Sequence, residues 1–438
     1  MTHRINSKKN KLLNFMSFLL ILLPAALFTG PFIPDLITVI LSVLFLVFCY
    51  KEKKFFFFNN LFFLFFFIFF FYLILRSFFS ESPLFSLKSS LFYIRFGLLS
   101  LSILLLLNYF KSVYKYFYYS LFISIFFVSF DVIYQFVFGF NIFGLVNPDP
   151  SRISGIFGSE FIVGSYLVRL MPICLFLYFI VNKNNKSKHY FLISFLLIFT
   201  DLAIFLSGER ASFFLLIFNI LFMSIFSKKL LTFRLFSLLI SIIMIIIICL
   251  NSKLIKERMF ISTLSEIKIG NTNSTIQKNL VDEKILKEND NFFYIFNLKN
   301  HNGHFQTAYK MYHDNKLFGQ GPNMFRFLCN KKEYKFNESS CSTHPHNTYL
   351  QVLAELGLVG LSFLILIIFF LFKELLLLIL SNKKISNIFK IRKIILISSF
   401  SLTLWPIITT GNFFNNWLNI IYFLPIPFYI HQFIKYKL

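Results

Sequence analysis

The chain has 438 residues, 57% of them hydrophobic, and a mean hydropathy of +0.71, more apolar surface than a soluble domain of that size could bury. Its formal net charge of +24 comes from 43 Lys and Arg against 19 Asp and Glu. In a soluble protein that excess would suggest a nucleic-acid partner; here the cations cluster between apolar runs, which excludes that reading.

The apolar runs are about 18–25 residues long, enough to cross a ~30 Å hydrocarbon core. In chain order they predict spans at 12–29, 33–50, 55–75, 91–109, 118–138, 161–181, 190–206, 211–226, 233–250, 347–372, 393–410 and 417–434. The basic N-terminus (Arg4, Lys8, Lys9, Lys11) before the first run has the form of a signal peptide. Because spans follow at once, it reads as an uncleaved first helix. Phe supplies 68 residues, many in blocks such as Phe55–Phe58, as a generic lipid-facing side chain. The fold class expected is therefore all-α integral membrane, with about twelve transmembrane helices. Its three parts are helices 1–9 (1–250), a large outer loop (251–346) between helices 9 and 10, and helices 10–12 (347–438).

Charge sets the orientation. With the N-terminus in the cytoplasm, the cytoplasmic segments carry 23 Lys and Arg; the short loops opposite carry four, Arg76, Lys88, Arg152 and Arg210. The positive-inside rule then puts both termini in the cytoplasm and the long loop outside. Cys329 and Cys341 fall in that loop, in an oxidising compartment, and form a candidate disulfide. Five histidines (301, 304, 313, 344, 346) lie there too, but no ligand spacing stands out, so no metal or other cofactor is expected.

Three stretches carry candidate chemistry. Arg152-Ile153-Ser154-Gly155 leads into the sixth span, which holds Arg169. Ser207-Gly208-Glu209-Arg210-Ala211 fills the very short turn between the seventh and eighth spans. An Arg so confined suits a two-point grip on phosphate oxygens. Arg76, Arg95 and Arg258 join these at the outer side. Several cations at one depth suggest an anionic ligand; pairing with Glu81, Glu160 and Glu209 is the structural alternative. The third stretch is His344-Pro345-His346-Asn347, where the long loop re-enters the membrane. A His there can take a proton from a sugar hydroxyl near neutral pH, or it simply anchors the span. Glu355 sits about 13 Å deeper at 1.5 Å per residue. Gly357 and Gly360 read as close helix-packing positions.

Taken together, these stretches resemble the O-antigen ligase and polymerase superfamily. The resemblance lies in His346-Asn347 followed after nine residues by Gly357-x-x-Gly360, in Ser207–Ala211, in Arg152–Gly158, and in Gly319-Gln320-Gly321-Pro322. It implies a fold similar to integral-membrane glycosyltransferases, in the bacterial inner membrane. The activity implied is metal-independent, inverting transfer of a glycan from undecaprenyl diphosphate to a sugar hydroxyl on the periplasmic face. The partners are the lipid-linked donor, a lipid A-core or other glycan acceptor, and membrane lipid. By the resemblance His346 is the base, with His344 beside it, and Arg210 holds the diphosphate. Arg152, Arg169 and Asn347 are further contacts. Where the family has a second loop Arg, this chain reads Asn302-Gly303-His304, so His304, Lys310 or Arg258 would substitute. A ligase is favoured over a polymerase that joins lipid-linked repeat units. A non-enzymatic polysaccharide transporter is the remaining alternative, with no paired broken helices to support it.

Overall fold

The structure is a computed structural model that describes residues 7–182, 187–264, 301–380, 386–406 and 408–434. The described residues are almost wholly helical, with only two isolated β-bridges, Phe140 to Val146 and Asp149 to Arg152. The first part of the chain forms α1 (Ser7–Ala26), α2 (Phe32–Glu52), α3 (Leu61–Phe78), α4 (Pro83–Ser90), α5 (Ile94–Tyr109) and α6 (Ser112–Phe138). Next come α7 (Val163–Val181), α8 (Ser187–Leu206), α9 (Arg210–Phe226), α10 (Lys228–Asn251) and the short α11 (Lys253–Lys256), which runs into a π-turn at Glu257–Ile261. Then follow α12 (Asn302–Asp314), α13 (Phe325–Leu328), α14 (Thr348–Leu380), α15 (Asn387–Thr403), α16 (Asn416–Phe423) and α17 (Pro425–Phe433).

Eight helical stretches among the described residues are long and apolar enough to cross a membrane: Phe32–Glu52, Leu61–Phe78, Pro83–Tyr109, Ser112–Phe138, Val163–Val181, Lys188–Leu206, Lys228–Asn251 and Thr348–Leu380. Lys11–Ala26 and Arg210–Phe226 are apolar but shorter. The chain is thus a multi-pass membrane protein, with the last two expected spans differing in form. The run 393–410 is helical only to Thr403; Pro406 lies shortly beyond, and the residue before a proline is held out of the helical region. The run 417–434 is two helices meeting at Leu424, with Pro425 opening the second. Proline fits a helix start but breaks an interior.

Phenylalanines serve both sides of this bundle. On α3, Phe66 and Phe69 are buried, whereas Phe67, Phe71 and Phe78 face outward. Ion pairs and polar ties between helices hold the interior: Asp201 on α8 meets Arg234 on α10, and Ser241 donates to the same carboxylate at 2.7 Å. Arg95 on α5 pairs with Asp35 on α2 at 3.0 Å.

The described part of the long loop, 301–346, packs a small core of its own from Ala308, Met311, Met324, Phe325, Leu328 and Cys329 against Ala354 of α14. Residues 265–300 of the expected loop lie outside the described residues. The loop is bound to the bundle through a break in α14. Gly357 has φ 64° and ψ −162°, a conformation reserved for glycine. The break frees backbone groups on both sides, and loop residues 316–321 take them up. Gln320 and Gly321 donate to the carbonyls of Ala354 and Glu355 at 2.9 and 2.8 Å. Leu358 and Val359 donate to those of Lys316 and Leu317 at 2.9 and 3.1 Å. From α3, Arg76 donates to the Phe318 and Gly319 carbonyls, and the Tyr72 hydroxyl to that of Leu356. Gly357 therefore admits loop backbone rather than a neighbouring helix, which corrects the helix-packing expectation. Arg76 and Arg95 are likewise committed to the protein itself.

A Cβ on residue 357 would lie 2.3 Å from the Leu317 oxygen. Gly357→Ala is therefore expected to lower stability by at least about 1–3 kcal/mol, read as an earlier thermal unfolding of detergent-purified protein. Unfolding at the wild-type temperature would show that loop and helix do not meet here.

Candidate functional site

Two groups of residues come together from distant parts of the sequence. The first surrounds the turn between α8 and α9. Gly208 has φ +63°, and a Cβ on it would meet the Ser151 carbonyl oxygen at 2.6 Å and the Arg152 and Arg258 side chains at 3.0 Å. The turn can be this tight only with glycine there. Arg258, carried on the π-turn after α11, donates to the Gly208 carbonyl at 2.9 Å. Such turns recur at functional positions. Arg152 lies over the Phe161 ring at 3.9 Å, a cation–π contact. Burial lowers its pKa against the opposing pull of Glu209 and Asp149, while the charge of Arg210 adds to the lowering. Asp149 is held below the ordinary carboxylate range: burial works against this, but bonds from Ser151 and the charges of Arg258 and Arg152 outweigh it. Arg210 donates to the Thr263 hydroxyl at 3.5 Å.

Glu209 turns the other way. Its carboxylate accepts from the backbone N–H groups of Gly164 and Ser165 at 2.6 and 3.1 Å and from the Ser212 hydroxyl at 2.9 Å. It caps the start of α7, where the helix leaves its first N–H groups unpaired and its dipole is positive. One turn on, Arg169 donates to the Ser165 hydroxyl at 2.5 Å and sits 5.7 Å from the Tyr422 ring. Of the expected arginines, Arg152, Arg210 and Arg258 therefore share one turn, and Arg169 belongs to the adjoining wall.

The second group is imidazole. His346 has φ 56°, rare for a residue with a Cβ and a conformation that persists only where the surroundings fix it. The fixing comes from the segment after α15. The Thr410 N–H donates to the His346 carbonyl at 2.8 Å, and the Thr410 carbonyl lies 3.0 Å from His344 Nε2. A carbonyl only accepts, so His344 carries its proton on Nε2, leaving Nδ1 to accept from the Thr343 hydroxyl at 2.9 Å. Asn347 closes the turn: its Oδ1 accepts from the N–H groups of Tyr349 and Leu350, an N-cap for α14, and its Nδ2 donates to the Pro406 carbonyl at 2.8 Å. Below it, Gln351 donates to Glu355 and Asn412 and accepts from the Phe413 N–H.

Around His346 stand three more rings, with centroids 4.3 Å away for His344, 4.7 Å for His301 and 5.2 Å for His304. Burial first, then the neighbouring imidazoles, bring His346 down to about 3. Burial also lowers His344, to about 4, despite its bond to Thr410. Both are neutral at pH 7, and a neutral imidazole keeps a lone pair with which to accept a proton. Sequence reasoning placed His304 as a stand-in for an arginine; the fold puts it in the imidazole group. Two partners were not anticipated. Thr410 acts through its backbone, which no side-chain motif marks. Arg326 on α13 is an exposed cation whose charge reaches His344; within the loop it carries no motif.

Cys329 and Cys341 are joined, with Cα atoms 5.0 Å apart. The bridge fastens the segment that runs directly into His344.

Residues 192–365 match the family model described as O-antigen ligase. That stretch contains Arg210, Arg258, His304, His344, His346 and Asn347. No curated protein matches the chain.

Opening the disulfide removes a loop constraint on the unfolded chain. Cys341→Ser should therefore cost about 3 kcal/mol on the chain-entropy model, and reductant should lower the unfolding temperature of wild type but not of the variant. Mass spectrometry that found both thiols free in protein isolated without reductant would rule the bridge out.

Proposed function

We propose, for a chain whose residues 192–365 belong to the O-antigen ligase superfamily, that it transfers a glycan from undecaprenyl diphosphate to an acceptor sugar hydroxyl. The reaction is of the ligase type, with lipid A-core as acceptor. The observation that carries this reading is the family match itself, because it spans both the cationic turn and the imidazole loop. The chain lies in the bacterial inner membrane with cytoplasmic termini, and the site opens on the periplasmic side.

A lipid diphosphate is already a good leaving group, so the chemistry needs cations for the departing charge and a base for the nucleophile. Arg210, with Arg152 and Arg258 at the same turn, supplies the cations; Arg pairs with phosphate oxygens through two parallel N–H groups. His346 supplies the base. The acceptor oxygen attacks the anomeric carbon as its proton passes to the imidazole. The bond from that carbon to the diphosphate oxygen breaks, and the lipid diphosphate leaves with the electron pair. One displacement with no protein nucleophile inverts the anomeric centre. His344, bonded through both ring nitrogens, positions the loop.

His346→Ala is expected to lose about 10²–10⁴-fold in turnover, the usual contribution of a positioned base, while donor binding persists. His344→Ala should be milder. Loss of transfer in His344→Ala alone would exchange the two roles. Arg210→Lys keeps the charge but not the planar fork and should lose much of the activity; wild-type turnover in Arg210→Lys and Arg210→Ala would put the diphosphate elsewhere. A reporter fused at Asn289, a position outside the described residues, should be active only on the periplasmic side; cytoplasmic activity would reverse the orientation. Deleting the gene should leave long glycan chains unattached; a single repeat unit on the core would indicate a polymerase.

A further inference from the structure

The imidazole group holds more rings than proton transfer requires. One ligand nitrogen each from His301, His304 and His346 lies within 4.8 Å of the others. His301 stands directly before α12 and His304 in its first turn, so one helix start presents both, and the loop before α14 brings His346 against them. His304 is 9% exposed, and its Nδ1 is buried with no hydrogen-bond partner among the described residues. An unpaired buried ring nitrogen costs free energy unless something binds it. His344 is excluded from the group despite its nearness, because Thr410 and Thr343 engage both its nitrogens.

We propose that His301, His304 and His346 form a binding site for one divalent d-block cation, Zn²⁺ in particular, with a fourth coordination position left open. Neutral imidazole is a preferred ligand for such ions, and three protein ligands with an open position is a recurrent zinc arrangement. Zn–N bonds of about 2.0–2.1 Å place tetrahedral ligand nitrogens about 3.3 Å apart. Coordination therefore requires the three nitrogens, now within 4.8 Å of one another, to draw in to that spacing. Calcium and magnesium, which prefer oxygen ligands, do not suit this set. Occupancy has a chemical consequence. The metal takes the His346 lone pair, so the bound form has no base there, and Zn²⁺ switches transfer off. The site itself does not depend on that reading, because binding is read without turnover.

The test is calorimetric titration of the purified, full-length chain in detergent with zinc chloride, with bound zinc counted by elemental mass spectrometry after gel filtration. One Zn²⁺ per chain is expected. Its dissociation constant should rise by at least about tenfold in His301→Ala and in His304→Ala, since losing even a residue that supports a ligand commonly costs 10–100-fold. His313→Ala, an exposed histidine at the other end of α12, should bind as wild type. No binding, or binding that survives both substitutions, overturns the site. If His304→Ala unfolds, His301→Ala and His301→Gln decide alone, since His301 is only half-buried. Stoichiometric binding through the three histidines that leaves transfer unchanged would keep the metal site and remove His346 as base.

Discussion

The structure turns on the two backbone hydrogen-bonding groups of a single residue, Thr410. The Thr410 N–H holds the His346 carbonyl, and the Thr410 carbonyl holds the His344 ring. Backbone groups away from water must be paired, so a segment with no helix of its own, between α15 and α16, becomes the template for the loop opposite. The rest follows from that tie. It fixes His346 in its left-handed conformation and sets the tautomer of His344. It also delivers Asn347 to cap α14, whose next turn then places Gln351 against Asn412 and Phe413.

A second anchor, within the loop at residues 316–321, works by equivalent means. At Gly357 the helix opens, and residues 316–321 fill the gap with four backbone hydrogen bonds, backed by Arg76 and Tyr72 from α3. The Glu355 carboxylate accepts from the Phe325 N–H at 2.9 Å and from Gln351. The disulfide fastens the stretch between these two anchors. The loop is thus attached to the bundle at residues 316–321 and at His346 through main-chain contacts.

Hydropathy made most of the bundle legible: runs such as 33–50, 118–138 and 233–250 became helices with little change, because length and apolarity dictate them. The run 417–434 has the hydropathy of one span but is divided at Pro425, a local steric effect that a hydropathy average passes over. At the site, Arg152, Arg210 and Arg258 were each visible as cations near one side. Their meeting at Gly208 depends on a positive φ and a π-turn that spacing does not reveal. Gly357 was visible as a glycine in an apolar run, where close packing and a helix break read alike. The histidine group stayed hidden for a plain reason. His301 and His304 are one helical turn apart, but His346 arrives from the far side of the disulfide-bonded segment, so no spacing rule connects them.

Chemical rescue of His346→Gly probes the role of this loop most directly. Glycine accepts the positive φ of this position at no steric cost, so the substitution removes the ring and spares the loop. Purified protein would be given a lipid-diphosphate glycan donor and an acceptor, with and without added imidazole. The variant should be nearly inactive alone and recover transfer as imidazole concentration rises. Wild-type transfer without imidazole, or no recovery from a variant that still folds and binds donor, would contradict His346 as the base.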